Sequence, residues 1–169
     1  MAMKDGTLSE VDGRYELRFV RPLSHPVEKV WSAITEPDGL RAWFPFDIEG
    51  ERATGAPLRF VFRENEGGDF EGSMVEFTPP AAMELRWEDD ETLRLELASS
   101  ASGCVLTLIN RFDEIGKAAR DAAGWHACLD ALEAWLAGVP VPDDRWSEVH
   151  PGYVERFGPE AATLGPPTA

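Results

Sequence analysis

Few residues in this chain are of a type and spacing that could do chemistry. The three histidines, His25, His126 and His150, stand at a helix start, in a long helical run and in the C-terminal segment, without the spacing of metal ligands. No metal site is expected. Cys104 and Cys128, the only cysteines, have 23 residues between them and no C-x-x-C, which suits two reduced core thiols rather than a disulfide or zinc site. Glycine-rich phosphate loops, G-x-S-x-G elbows and H-E-x-x-H helices are absent, so no catalytic residue and no cofactor is assigned. Asp121 is the ionisable residue of most interest. A helical wheel places it between Cys128 and Leu132, inside an apolar arc, where it either faces a cavity or serves the helix dipole from the first turn. His126 falls at the edge of that arc beside Glu133. Asn110 shares parity with Leu106 and Leu108, and an inward amide needs a partner, from the backbone by expectation or from a ligand.

The elements that must position these residues follow from periodicity. Tyr15, Leu17 and Phe19 alternate with Glu16 and Arg18 as a first strand to Arg21. His25-Pro26 opens a helix with Val27, Val30, Trp31 and Ile34 on one face, and Thr35-Glu36-Pro37 restarts the chain into a shorter one carrying Leu40 and Trp43. From Phe46 to Phe112 short alternating runs fit five or six antiparallel strands, clearest at Leu58-Phe60-Phe62, Met83-Leu85-Trp87, Leu93-Leu95-Leu97 and Leu106-Leu108. Phe70 to Phe77 is another, with two conflicting apolar parities that suggest a bulge near Gly72. Between Ala118 and Ala137 the period is helical again, with Ala118, Ala122, Trp125, Leu129, Leu132 and Leu136 in one stripe widened by Cys128 and Trp135. Gly138 and Pro140 end this helix. Residues 139–169 read as a docked tail, anchored by Trp146, Tyr153 and Phe157, whose last few residues fray.

Strand, two short helices, meander and long helix make an α+β chain. The economical arrangement is a helix-grip: a curved antiparallel sheet of six or seven strands around the C-terminal helix, in one domain over 1–169 with its core at about 15–138. A net charge of -15, with acidic residues scattered along the chain, disfavours nucleic acid and anionic membrane as partners. No run reaches the roughly 18 apolar residues of a membrane span, and the first residues lack the order of a signal peptide, so a cytoplasmic location is expected.

The stretch from Arg21-Pro22-Leu23-Ser24-His25-Pro26-Val27 through Val30-Trp31 and Thr35-Glu36-Pro37 to Leu40 and Trp43-Phe44 resembles the opening motif of the activator-of-heat-shock-protein-ATPase-like family, in its single-domain bacterial form. Gly124-Trp125 with the spaced Leu129, Leu132 and Leu136 is similar to that family's closing helix, and the likeness spans about Tyr15 to Gly138. Membership implies the START-like, pollen-allergen-like superfamily (SRPBCC), whose shared property is a deep cavity for apolar molecules. Carriers, aromatase-cyclases and co-chaperones share that architecture, so fold does not decide among them. The eukaryotic co-chaperones carry a separate N-terminal domain, whereas 14 residues precede Tyr15 here, and chaperone activation is not carried over.

The resulting expectation is a binder of a small, largely apolar molecule. Its ligand-binding residues are Phe60, Phe62, Trp87, Leu106, Leu108, Asn110, Asp121, Trp125 and Leu129, around a pocket of roughly 300 Å³ or more. A cavity enzyme would instead need Asp121, His126 or Asn110 to converge on one substrate. A protein-binding module would need an exposed apolar patch. A homodimer is compatible with all three.

Overall fold

The computed structural model describes residues 4–63, 68–87 and 90–165. Period-two runs become strands and period-3.6 runs become helices, in the order β1 (Thr7–Val11), β2 (Arg14–Leu23), α1 (Val27–Thr35), α2 (Pro37–Trp43), β3 (Phe46–Glu49), β4 (Pro57–Phe62), β5 (Phe70–Thr78), β6 (Ala82–Arg86), β7 (Thr92–Ser100), β8 (Gly103–Phe112), α3 (Ala118–Ala137) and α4 (Arg145–Phe157). The strands form one antiparallel sheet, β1-β2-β8-β7-β6-β5-β4-β3. Among the described strands only the β2–β8 pair joins segments remote in sequence, and α1 and α2 occupy the connection from β2 to β3. The sheet curves around α3, whose Ala118, Ala122, Leu129, Leu132 and Leu136 are buried in a core shared with Leu17, Phe19, Leu95 and Leu108. On the wet face Arg94 bridges Glu76, Glu84 and Glu96. Among the described residues no helix is long and apolar enough to cross a membrane.

Four details differ from the sequence-based expectation. The described residues form eight strands, not six or seven, because β1 pairs with β2 through Asp12-Gly13, both at positive φ (53° and 78°), as a two-residue hairpin turn requires. The bulge in β5 lies between Met74 and Glu76 rather than near Gly72. Gly72 has another cause: a Cβ there would meet the Arg86 carbonyl oxygen at 2.1 Å and the Phe60 ring at 2.7 Å, so only glycine allows that approach. Trp135 is 42% exposed at the margin of the α3 stripe instead of widening it. The tail contains a 13-residue helix, α4, which continues through Pro151 and buries Tyr153 completely. The expected fraying of the last few residues falls largely on 166–169, outside the described residues.

Candidate functional site

Antiparallel pairing brings the start of β3, the end of β4, the start of β5, the end of β6 and the approach to β7 to one end of the sheet. Against this end lies the first half of α3. Between them is a pocket of about 440 Å³, open on one side, lined by Pro45, Phe46, Phe62, Phe70, Trp87 and Glu91 from the sheet end, Arg120, Asp121, Gly124, Trp125 and Cys128 from α3, and Trp146 from α4.

The sheet-side rings support one another. Phe46 stands 4.7 Å from Phe62 and 5.0 Å from Phe70, at 87° and 88°, and Trp87 stands 6.4 Å from Phe70 at 83°. Edge-to-face contact of this kind suits the ring quadrupole. The α3-side ring, Trp125, packs on Phe44 at 5.9 Å and donates its indole N–H to Asn110 Oδ1 at 3.1 Å. Trp146 donates its N–H to the Arg120 carbonyl oxygen at 3.0 Å and stacks on His150 at 4.2 Å. With both N–H groups engaged by the protein, these two indoles offer the pocket carbon faces.

The polar end is a chain of alternating charge. Glu91 pairs with Lys117, Lys117 Nζ lies 3.6 Å from Asp121, and Arg120 Nε donates to Asp121 Oδ1 at 2.9 Å. Asn110 Nδ2 donates to Glu91 Oε2 and to the Thr92 carbonyl oxygen, both at 3.0 Å. Burial pushes the Asp121 carboxyl above the usual carboxylate range; Lys117 and Arg120 pull it back, and Glu91 adds to the rise. The Cys128 thiol is pushed up to about 12 by burial, which keeps it protonated and unsuited to attack as a thiolate. The residue as a whole is half-buried, so it is the apolar surroundings of the sulfur that matter here.

Of the residues singled out from sequence, Phe62, Trp87, Asp121 and Trp125 line this pocket. Phe60 does not: it is fully buried, stacked behind Phe70 at 5.0 Å. Leu106, Leu108 and Leu129 are packed in the core. Asn110 is buried behind the wall, where it orients Trp125. Sequence reasoning missed Phe46, Phe70, Glu91, Arg120 and Trp146. Phe46 and Phe70 begin their strands, Glu91 precedes one and Arg120 is a charged residue in the first turn of α3, positions where periodicity gives no signal of a pocket. The fifth had one: Trp146, Val149, Tyr153 and Phe157 are spaced as a helix face, a pattern masked by Pro151-Gly152.

A second polar cluster lies on another side of α3. Arg21, 1% exposed, pairs with Asp130 at 2.9 Å and with Glu133, and donates to the Lys4 carbonyl oxygen at 3.1 Å. Asp130 also accepts from Arg145 Nε at 2.9 Å and lies 3.5 Å from His126 Nε2. Burial alone would raise the Asp130 carboxyl, but hydrogen bonds and charge from Arg145 and Arg21 hold it below the usual range. His126 Nδ1 meets the Tyr153 hydroxyl at 2.8 Å, and that oxygen accepts the Gly6 N–H at 2.8 Å. Burial lowers His126 and pushes Tyr153 up to about 12. The Tyr153 hydroxyl, which accepts from Gly6, is placed to donate to His126 Nδ1, and Nε2 is turned towards Asp130. His126 thus faces α4 and does not join Asp121 at the pocket.

A family model described as Activator of Hsp90 ATPase homolog 1-like protein matches residues 24–137. Among solved structures, CalU16 from Micromonospora echinospora is 21% identical with a TM-score of 0.72, over 90% of this chain and 94% of that one. A conserved protein of unknown function from Enterococcus faecalis is 16% identical with a TM-score of 0.76, over 90% of each chain. The AHSA1-like protein from Aeromonas hydrophila is 17% identical with a TM-score of 0.57, over 74% of this chain and 95% of that one. At such identities the likeness is one of fold. Among curated proteins none matches.

Proposed function

The chain belongs to the Activator of Hsp90 ATPase homolog 1-like family, and from that premise we propose that it binds a small, largely apolar molecule in the pocket between the sheet end and α3. The observation that carries the reading is the lining: Phe46, Phe62, Phe70, Trp87, Trp125 and Trp146 border about 440 Å³, with Glu91, Arg120 and Asp121 as the charged groups among the lining residues. Volumes of roughly 300–1,000 Å³ with apolar walls and few polar groups are typical of small-molecule sites. Phe62, Trp87 and Trp125 act as walls and Asp121 as the polar anchor, while Asn110 and Phe60 support Trp125 and Trp87 from behind and Leu106, Leu108 and Leu129 belong to the packed core. One domain over 1–169, a cytosolic location and a small-molecule partner complete the reading; a net charge of -15 supports the exclusion of nucleic acid.

Native mass spectrometry of the purified protein tests this directly, with a retained mass as the expected result. Calorimetric titration with aromatic alcohols, acids and amines tests it independently. At least one class should bind the parent, and Asp121→Asn should change the order of preference while leaving the thermal midpoint within a few degrees. No retained mass and no binding by any class would sink the proposal. Unchanged preference in the variant would remove Asp121 from its role.

A further inference from the structure

The family segment ends at residue 137, and Trp146 reaches the pocket from beyond it, on α4. We infer that Trp146 is the specificity-determining wall of this pocket, selecting ligands with a flat aromatic ring system over flexible aliphatic ones. The inference rests on the pocket reading above. Its support is the way the rings are grouped. The sheet-side rings pack on one another, and Trp125 packs on Phe44. Among the described aromatic pairs Trp146 meets none of these and stacks only on His150, at 4.2 Å and 18°. One face of its indole is therefore covered and the ring is backed, while the pocket separates it from the other walls.

The orientation of that ring is set by the N–H donated to the Arg120 carbonyl oxygen at 3.0 Å, so it presents a fixed plane rather than a mobile edge. A fixed plane opposite other rings rewards a flat guest through stacking in addition to area. An aliphatic chain gains only the area term and has rotamers to lose. The same indole bond ties the wall to the peptide preceding Asp121, so plane and polar anchor keep a constant spacing.

Other contacts hold α4 in place. Arg145 Nε reaches Asp130 at 2.9 Å, the buried Tyr153 hydroxyl accepts the Gly6 N–H, and Arg156 lies 3.2 Å from Asp5. A change at Trp146 therefore alters the wall without releasing the helix that carries it.

The test is calorimetric titration of the full chain with 2-naphthol and with 1-octanol, on the parent, Trp146→Leu and Trp146→Phe, with far-ultraviolet circular dichroism to check helix content. Leucine keeps an apolar cover and removes the plane; phenylalanine keeps a plane. Trp146→Leu should weaken 2-naphthol about tenfold and shift 1-octanol by less than about threefold, with Trp146→Phe recovering most of the loss. An equal fall for both probes, or no fall for 2-naphthol, overturns the inference while leaving the pocket reading intact. So does a parent that binds 1-octanol and not 2-naphthol. A parent that binds neither overturns this inference, and the pocket reading falls with it only if native mass spectrometry also retains no mass and no aromatic acid or amine binds.

Discussion

On the side of α3 that faces the sheet end, Glu91, Lys117, Asp121 and Arg120 form a charged chain beside an open, aromatic-walled pocket. On the side that faces α4, Arg21, Asp130, His126 and Tyr153 form a chain of similar length, and the space beside it, about 560 Å³ bounded by Lys4, Leu23, Asp130, Glu133, Val139 and Arg145 among others, has no Phe, Tyr or Trp in its walls. Both chains bury polar groups, and in both the burial is offset by partners. The difference lies in the neighbours: α4 and the N-terminal segment supply charged and hydrogen-bonding partners to one chain, while the other borders a space walled by six aromatic rings. A polar network whose members pair with one another contributes stability and specifies the docking of α4, whereas a polar group at the edge of an aromatic-walled gap is placed to orient something else.

The largest effect that would test this contrast is on stability. Arg21→Ala strips Asp130 and Glu133 of a fully buried partner and frees the Lys4 carbonyl, and should cost about 3–5 kcal/mol in urea denaturation. Asp121→Asn should cost less than about 1 kcal/mol, since it removes a carboxylate that burial disfavours. Similar losses in the two variants would erase the distinction between the sides.

A smaller loss is expected from Tyr153→Phe. The ring still fills its site, but the Gly6 N–H and His126 Nδ1 lose their partner, and leaving such groups unpaired costs about 1–3 kcal/mol. The same variant should leave pocket titrations unchanged; altered binding would mean that the two sides are coupled through α4.

The smallest effects are in pH dependence, and they have opposite signs. Burial lowers His126 from the ordinary 6.5, with Arg21 and Arg145 acting in the same direction and Asp130 and Asp5 against it. The unfolded chain then takes up the proton first, so the stability His126 contributes is present above pH 6.5 and is lost as pH falls towards the folded value. Asp121, raised from 3.8, contributes stability that is fully present below pH 3.8 and is lost as pH rises through the folded value. Denaturant unfolding across the acid range should show His126→Gln flattening the first slope and Asp121→Asn the second. The reverse assignment would break the comparison.

Much of the scaffold was legible because burial of one face imposes a period. β2, β7, β8, α1 and α2 follow the alternation or the helical stripe closely, and α3 contains its stripe but is buried beyond it, at Ala119, Ala123, His126 and Asp130 among others, because α4 covers a second side. β1 was not, because its residues are mostly exposed and present no buried face to read, although Asp12-Gly13 marks its turn. α4 was hidden by Pro151, whose helix-breaking tendency is outweighed by the burial and hydrogen bonding of Tyr153, a long-range effect with no local signature. The shift of the β5 bulge to Val75 has the same origin, since register depends on the partner strand.

For elements with an unbroken period the sequence by itself determined which side turns inward: Phe60 and Phe62 share a parity, as do Leu106, Leu108 and Asn110. Tertiary structure alone decided what each inward residue meets. Phe60 is covered by Phe70, while Phe62, two residues on at the end of the same strand, is left against open space. Periodicity reports direction, but contact depends on how strongly the sheet curves, where its strands end and which remote segment comes to lie across them. In this chain that segment is α4, and the pocket has its present walls only because Trp146 is brought to within reach of Arg120, 26 residues away in sequence.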